Sequence, residues 1–125
     1  MHNTYKLSPL GKTWIFDLDG TAVKHNGYKI DGYDTLLPNA KAFFNTIPDD
    51  DMIIFITART QTYKQATEQF LTQAGIRYNA IIYDAPFGER ILINDAKPSG
   101  LPTAIAVNTQ RDVFMTEVFT IDPTL

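Results

Sequence analysis

Short apolar runs punctuate the chain, and each is stopped by polar residues. Five of them, at 13–16, 52–56 (MIIFI), 80–83, 91–93 and 104–107, are continuous rather than alternating. That pattern predicts strands buried on both faces. Between the second and third runs, residues 61–74 carry Tyr63, Ala66, Phe70 and Ala74 at spacings of three to four. These positions predict a helix with one inward face, Thr60 as its N-cap and Gly75 as its stop. A second helix is predicted over 39–47, with Pro38 in its first turn, Ala40, Phe43, Phe44 and Ile47 inward, and Pro48 ending it. A helical turn is expected after KPSG, and one more strand at 118–121.

Strands alternating with helices imply parallel pairing through right-handed crossovers. The predicted fold class is therefore α/β: a three-layer, Rossmann-like fold with a mostly parallel central sheet of about five strands. It forms one domain over residues 1–125, with a short insert at 22–37 containing Gly27 and Gly32. Open sheets of this kind bind ligands beyond the carboxyl ends of their strands. The polar residues fall there: Asp17 and Asp19 after the first run, Thr57 and Arg59 after the second, Asp84 after the third, Asn94 and Asp95 after the fourth.

Composition narrows the function classes. The chain has 125 residues, no cysteine and a formal net charge of -3. Thiolate catalysis, disulfides and cysteine zinc sites are excluded. The acidic balance argues against a nucleic-acid or anionic-membrane surface. The first twelve residues lack the apolar core of a signal peptide and no apolar run approaches a membrane span, so a cytoplasmic protein is expected.

The segment TWIFDLDGTAV sets two carboxylates, Asp17 and Asp19, against an apolar strand. Alone, Asp-Leu-Asp-Gly also reads as an ordinary turn. Asp95, at the end of another predicted strand, brings a third carboxylate to the same edge. Three carboxylates together repel, and a divalent cation relieves them; an oxygen-only donor set with room for water suits Mg2+.

DLDGT after one strand, IFITAR at a second and LINDAKPSG at a third, in that order, resemble the motifs of the haloacid dehalogenase superfamily of aspartate-nucleophile phosphotransferases. The resemblance spans about residues 13–100. It implies a magnesium-dependent phosphatase in which Asp17 attacks phosphorus to form an aspartyl-phosphate. Asp19 would be the general acid-base group, with its backbone carbonyl also on the metal, and Asp95 would bind Mg2+ through its side chain. Metal ligation thus falls to Asp17, Asp19 and Asp95. Thr57 would hold the transferred phosphoryl by hydroxyl and backbone N–H. Gly20 and Thr21 would shape the loop beneath it, and Ala58 and Arg59 would face the substrate, Arg59 as a clamp on a carboxylate or second phosphate. The family also uses a basic residue beside the nucleophile, for which Arg90 and Lys97 compete. Asn94 stands where relatives often carry a second acid, which lowers the charge of the metal site.

The remaining polar and aromatic residues read more plainly. Asp84 is expected to cap a strand end, while Lys24 and His25 follow the signature loop. His2 and His25 are expected to be exposed. Trp14 and Phe16, Phe43, Phe44, Phe55 and Phe70 fit a core, whereas Phe87 and Phe114 have no obvious place. Neither gap between motifs has room for a cap domain, so the site is open. An open site needs a large substrate, or a small one enclosed by a second copy of the chain in a homo-oligomer. NDAKPSG is similar to small phosphatases of surface-polysaccharide sugar metabolism, which implies a sugar phosphate as the small phosphorylated substrate. The alternatives are a phosphatase for a macromolecular phosphoester and a non-catalytic binding subunit. Beyond the strand expected at 118–121, residues 109–125 receive no functional role.

Overall fold

The computed structural model describes residues 3–125; His2 lies outside the described residues. Its elements run β1 (Thr4–Leu7), β2 (Thr13–Asp17), α1 (Gly27–Ile30), α2 (Ala40–Thr46), β3 (Met52–Ile56), a 3-10 turn (Gln61–Tyr63), α3 (Lys64–Gln73), β4 (Ala80–Ile82) and β5 (Val118–Ile121). The class is α/β and every strand pair is parallel. The strands form two small sheets, however: β2-β3-β4 and β1-β5. The single sheet of about five strands is not formed. Residues 91–93 and 104–107 carry no strand pairing, and Ile91 and Ile93 are 82% and 90% exposed. The turn after KPSG does not become a helix.

Register levels the strands where it matters. Asp17 pairs with Ile56, and Ile56 with Ile82, so the three strands of the larger sheet end together. Asp51 fixes the other end. Its carboxylate accepts the Lys12 backbone N–H and the Trp14 indole N–H, each at 3.0 Å, tying the start of β2 to that of β3.

The core is aromatic. Phe16 meets Phe44 at 4.7 Å and Phe55 at 6.0 Å between ring centroids, with Phe114 packed against Phe43 and Phe44. Helix α2 supplies Ala40, Phe44 and Ile47 to this core, as its spacing predicts. On the other face of β2, Ile15 is 52% exposed, so that face is not covered as a middle layer would be. In α3 the inward face is rotated from the expected one: Thr67 and Leu71 are buried, Ala66 is exposed, and Tyr63, Phe70 and Ala74 are half-buried. Gly75 follows this helix at φ 72°, a left-handed stop that suits glycine. Thr60 makes no side-chain cap bond. Among the described residues, no helix is long and apolar enough to cross a membrane.

Candidate functional site

The end of β2 runs straight into a tight turn. The N–H groups of Thr21, Ala22 and Val23 all point at the Leu18 carbonyl, and Gly20, at φ 80°, makes the reversal. The turn brings the Thr21 hydroxyl back onto the Asp17 carboxylate at 3.1 Å. The other Asp17 oxygen accepts a hydrogen bond from Arg90 at 2.8 Å. Of the two competing basic residues, Arg90 is the one on Asp17. Lys97 sits in a turn closed by the Gly100 N–H on its carbonyl, and it makes no ion pair among the described residues.

Thr57 stands at the neighbouring strand end and is 1% exposed. Its backbone N–H donates to the Ile82 carbonyl at 2.9 Å, so it continues the sheet ladder and is not free for a phosphoryl group as expected. Its hydroxyl oxygen accepts the Arg59 N–H at 3.1 Å, which leaves the hydroxyl hydrogen to donate elsewhere. Asp84, at φ 61°, closes this loop: its N–H meets the Arg59 carbonyl, and the Ala85 N–H meets the Thr57 carbonyl. Asp84 thus has the structural place expected of it.

Arg59 differs most from expectation. It is 4% exposed, and its guanidinium makes five hydrogen bonds. Nε and one Nη2 proton go to the two oxygens of Asp19, at 3.0 and 2.9 Å. Nη1 and Nη2 go to the two oxygens of Asp34, at 2.9 and 2.6 Å, and Nη1 also reaches the Thr67 hydroxyl at 3.0 Å. A guanidinium has five N–H donors, so none is left to clamp a substrate. The Tyr28 ring lies 3.9 Å from the guanidinium carbon and packs edge-on to Tyr63. Burial disfavours this cation, but the hydrogen bonds and charges of Asp34 and Asp19 outweigh it and raise its pKa above the ordinary arginine value. Asp34 and Tyr28 belong to the insert at 22–37, which sequence alone left without a role. A buried arginine needs an acidic partner, and that rule was the available signal.

The expected magnesium donors do not converge. Asp17 is engaged by Arg90 and Thr21, and Asp19 by Arg59. Asp95 lies in the exposed segment beyond β4, where the Thr103 hydroxyl donates to its carbonyl and the Asn94 amide donates to Thr103. Among the described residues no group of three carboxylate, imidazole or thiolate side chains could hold a metal ion. As arranged, these residues do not fit a magnesium site. Two arginines supply the positive charge instead.

An apolar cleft of about 290 Å³ runs along the edge of β2 that β3 leaves free. Trp14, Phe16, Leu92, Ile105 and Met115 are among its lining, and Asp17 and Thr21 also border it. Residues 92–107 therefore pass beside β2 without joining its ladder.

No family model matches the chain, and no curated protein matches it. Solved structures with a similar fold include a chain of the Pnkp1/Rnl/Hen1 complex, with 25% identity, a TM-score of 0.52, and coverage of 66% of this chain and 31% of that one. A chain of the Pnkp1/Rnl/Hen1 RNA repair complex matches at 24% identity and the same TM-score of 0.52, covering 68% of this chain and 29% of its own length. This chain thus spans about a third of the solved chains it resembles. Those chains belong to multi-protein assemblies.

Proposed function

We propose that the chain is a phosphomonoester hydrolase of haloacid dehalogenase type, with a sugar phosphate as its substrate. The observation that carries the reading is the environment of Asp17: a half-buried carboxylate at a strand end, oriented by Thr21 and faced by the Arg90 guanidinium at 2.8 Å. A carboxylate needs no deprotonation to attack, and a guanidinium beside it can hold the equatorial oxygens of a phosphoryl group.

The Asp17 oxygen bonds to phosphorus as the P–O bond to the alcohol breaks, and protonated Asp19 gives its proton to the departing oxygen. Water then attacks the aspartyl-phosphate. Asp19 takes its proton, inorganic phosphate departs and Asp17 is regenerated. Asp19 can serve while held by Arg59, since a carboxylate has about four acceptor positions and Arg59 occupies two of them. Thr57, buried at the next strand end with its hydroxyl oxygen accepting the Arg59 N–H, supports the loop after β3 and is assigned no contact with the transferred group. The magnesium requirement rests on the sequence resemblance and enters none of these steps.

A second reading, a phosphoester at an RNA end, is favoured by the likeness to chains of an RNA repair complex. The net charge of -3 weighs against it. One experiment tests both: phosphate release from sugar phosphates, nucleotides and 3′- or 5′-phosphorylated oligoribonucleotides, with Mg2+ and with chelator, for wild type and Asp17→Asn. Release from sugar phosphates that the substitution abolishes supports the proposal. Release from the oligoribonucleotides alone replaces the sugar with RNA. No release by folded protein removes the hydrolase reading and leaves a binding subunit.

A further inference from the structure

Residues 110–112 come from far along the chain, yet they close on the signature loop. Asp112 adopts φ 64°, an unusual conformation for a residue with a side chain. Its N–H donates to the Gly20 carbonyl at 2.8 Å, and its carboxylate accepts the His25 N–H at 2.7 Å. One residue thus joins the catalytic turn to the start of the insert. An unfavourable backbone angle held by two such bonds marks a position that its surroundings specify.

This latch places Arg111. A Cβ built on Gly20 would lie 3.2 Å from Arg111 Cγ and 3.7 Å from His25, so both side chains crowd the same face of the turn. The other cations around the turn are paired: Lys24 with Asp31 at 2.9 Å, Arg59 with Asp19 and Asp34, and Arg90 with Asp17. Arg111 is exposed and has no carboxylate partner among the described residues. Arg90 already serves the phosphoryl side at Asp17. Arg111 lies instead toward Gly20, next in sequence to Asp19, the residue that faces the departing oxygen.

We propose that Arg111, steadied by Asp112 and flanked by His25, is a subsite for a second anionic group carried by the leaving alcohol, such as another phosphate or a carboxylate. A guanidinium offers such an oxyanion a two-pronged contact. The subsite rests on the phosphomonoesterase reading for its place in catalysis, while anion binding at Arg111 can be measured without turnover.

The test compares glucose 1,6-bisphosphate with glucose 6-phosphate, and a diribonucleotide bearing a 3′-phosphate with a mononucleoside 3′-phosphate. Binding is followed by calorimetry on Asp17→Asn protein with and without Arg111→Met, and turnover on the two backgrounds with Asp17 intact. The doubly anionic member of a pair should bind more tightly, and Arg111→Met should reduce that preference by about tenfold, with partial recovery in Arg111→Lys. The pair that shows the preference identifies a sugar or an RNA end as the source of the second anion. Equal binding of both members of each pair, or a preference that survives Arg111→Met, overturns the subsite. An Arg111-dependent preference without any turnover keeps the subsite and removes the hydrolase reading.

Discussion

Arg59 grips Asp19 with two parallel hydrogen bonds, 3.0 and 2.9 Å, while its remaining donors are held by Asp34 and Thr67. The arrangement orients the Asp19 carboxylate through a side chain whose five donors are all engaged. Lysine carries the charge but not the fork. Arg59→Lys should therefore lower kcat about 10²-fold while changing KM by less than about threefold, as expected when a catalytic group is misplaced and not the substrate. Steady-state kinetics would show it; a loss entirely in KM would return Arg59 to the role of a substrate clamp.

Asp34 is 5% exposed at its side chain and depends on Arg59 for its charge partner. Arg59→Met strands that carboxylate and should cost about 3–5 kcal/mol. The double substitution Arg59→Met with Asp34→Leu should recover part of the loss, because it removes the more deeply buried Asp34 charge while Asp19, 17% exposed, is left without its partner. Urea midpoints of the three proteins measure the difference.

Arg90 and Lys97 give a clean contrast. Arg90 touches Asp17 and Lys97 does not, so Arg90→Met should reduce kcat/KM by about 10²-fold and Lys97→Met by less than about twofold. The reverse order would mean that the loop beyond β4 turns its lysine onto the phosphoryl group during turnover.

Tyr83 predicts the alkaline limit of stability. Its hydroxyl donates to Glu68 on α3 at 2.9 Å. Burial, then the Glu68 hydrogen bond and charge, raises its pKa well above the ordinary value of about 10. The folded protein holds this proton longer than the unfolded chain does. The stabilisation is therefore complete below about pH 10 and declines as the pH rises through the folded value. Between about pH 8 and about pH 11, Tyr83→Phe should lose less of its urea midpoint than wild type; equal losses would show that other groups set the limit.

Phe55 is fully buried where the rings of Phe16 and Phe44 meet. Phe55→Ala should destabilise the fold by about 3–5 kcal/mol. Its strand also carries the level end on which Thr57 sits, so the variant should lose activity at a lower temperature than wild type. Thermal melts followed by circular dichroism and by phosphate release would track together.

Much of the larger sheet can be read directly from the residues. Branched and aromatic runs at β2 and β3 have one outcome when a glycine- or threonine-marked turn follows each of them. Helix α2 is bounded by prolines and spaced by phenylalanines. Residues 91–93 were misleading because an apolar run reports a preference for burial and not the partner that would provide it; Leu92 borders the cleft while its neighbours stay exposed. The inward face of α3 differs from the one its spacing predicts because it centres on Leu71 and on Thr67, a polar residue buried with its hydroxyl bonded to Arg59. Among site residues, Asp17 and Thr21 were legible from a local motif. Asp34, Tyr28, Arg111 and Asp112 were not, because each acts on a residue distant in sequence.

The parallel pairing of β1 with β5 sets Thr4 against Val118, and Phe119 of β5 stacks on Tyr5 and meets Trp14 edge-on. During synthesis, β2, β3 and β4 can associate as soon as they leave the ribosome, but β1 must wait for a strand made more than a hundred residues later. Contacts that close so large a loop form late and slowly. The Asp112 latch on Gly20 lies on the same late-arriving segment. A nascent chain would therefore hold Asp17 and Asp19 at the end of β2 before the turn around them is secured, and the candidate site would be complete only once the segment carrying Asp112 and β5 had docked.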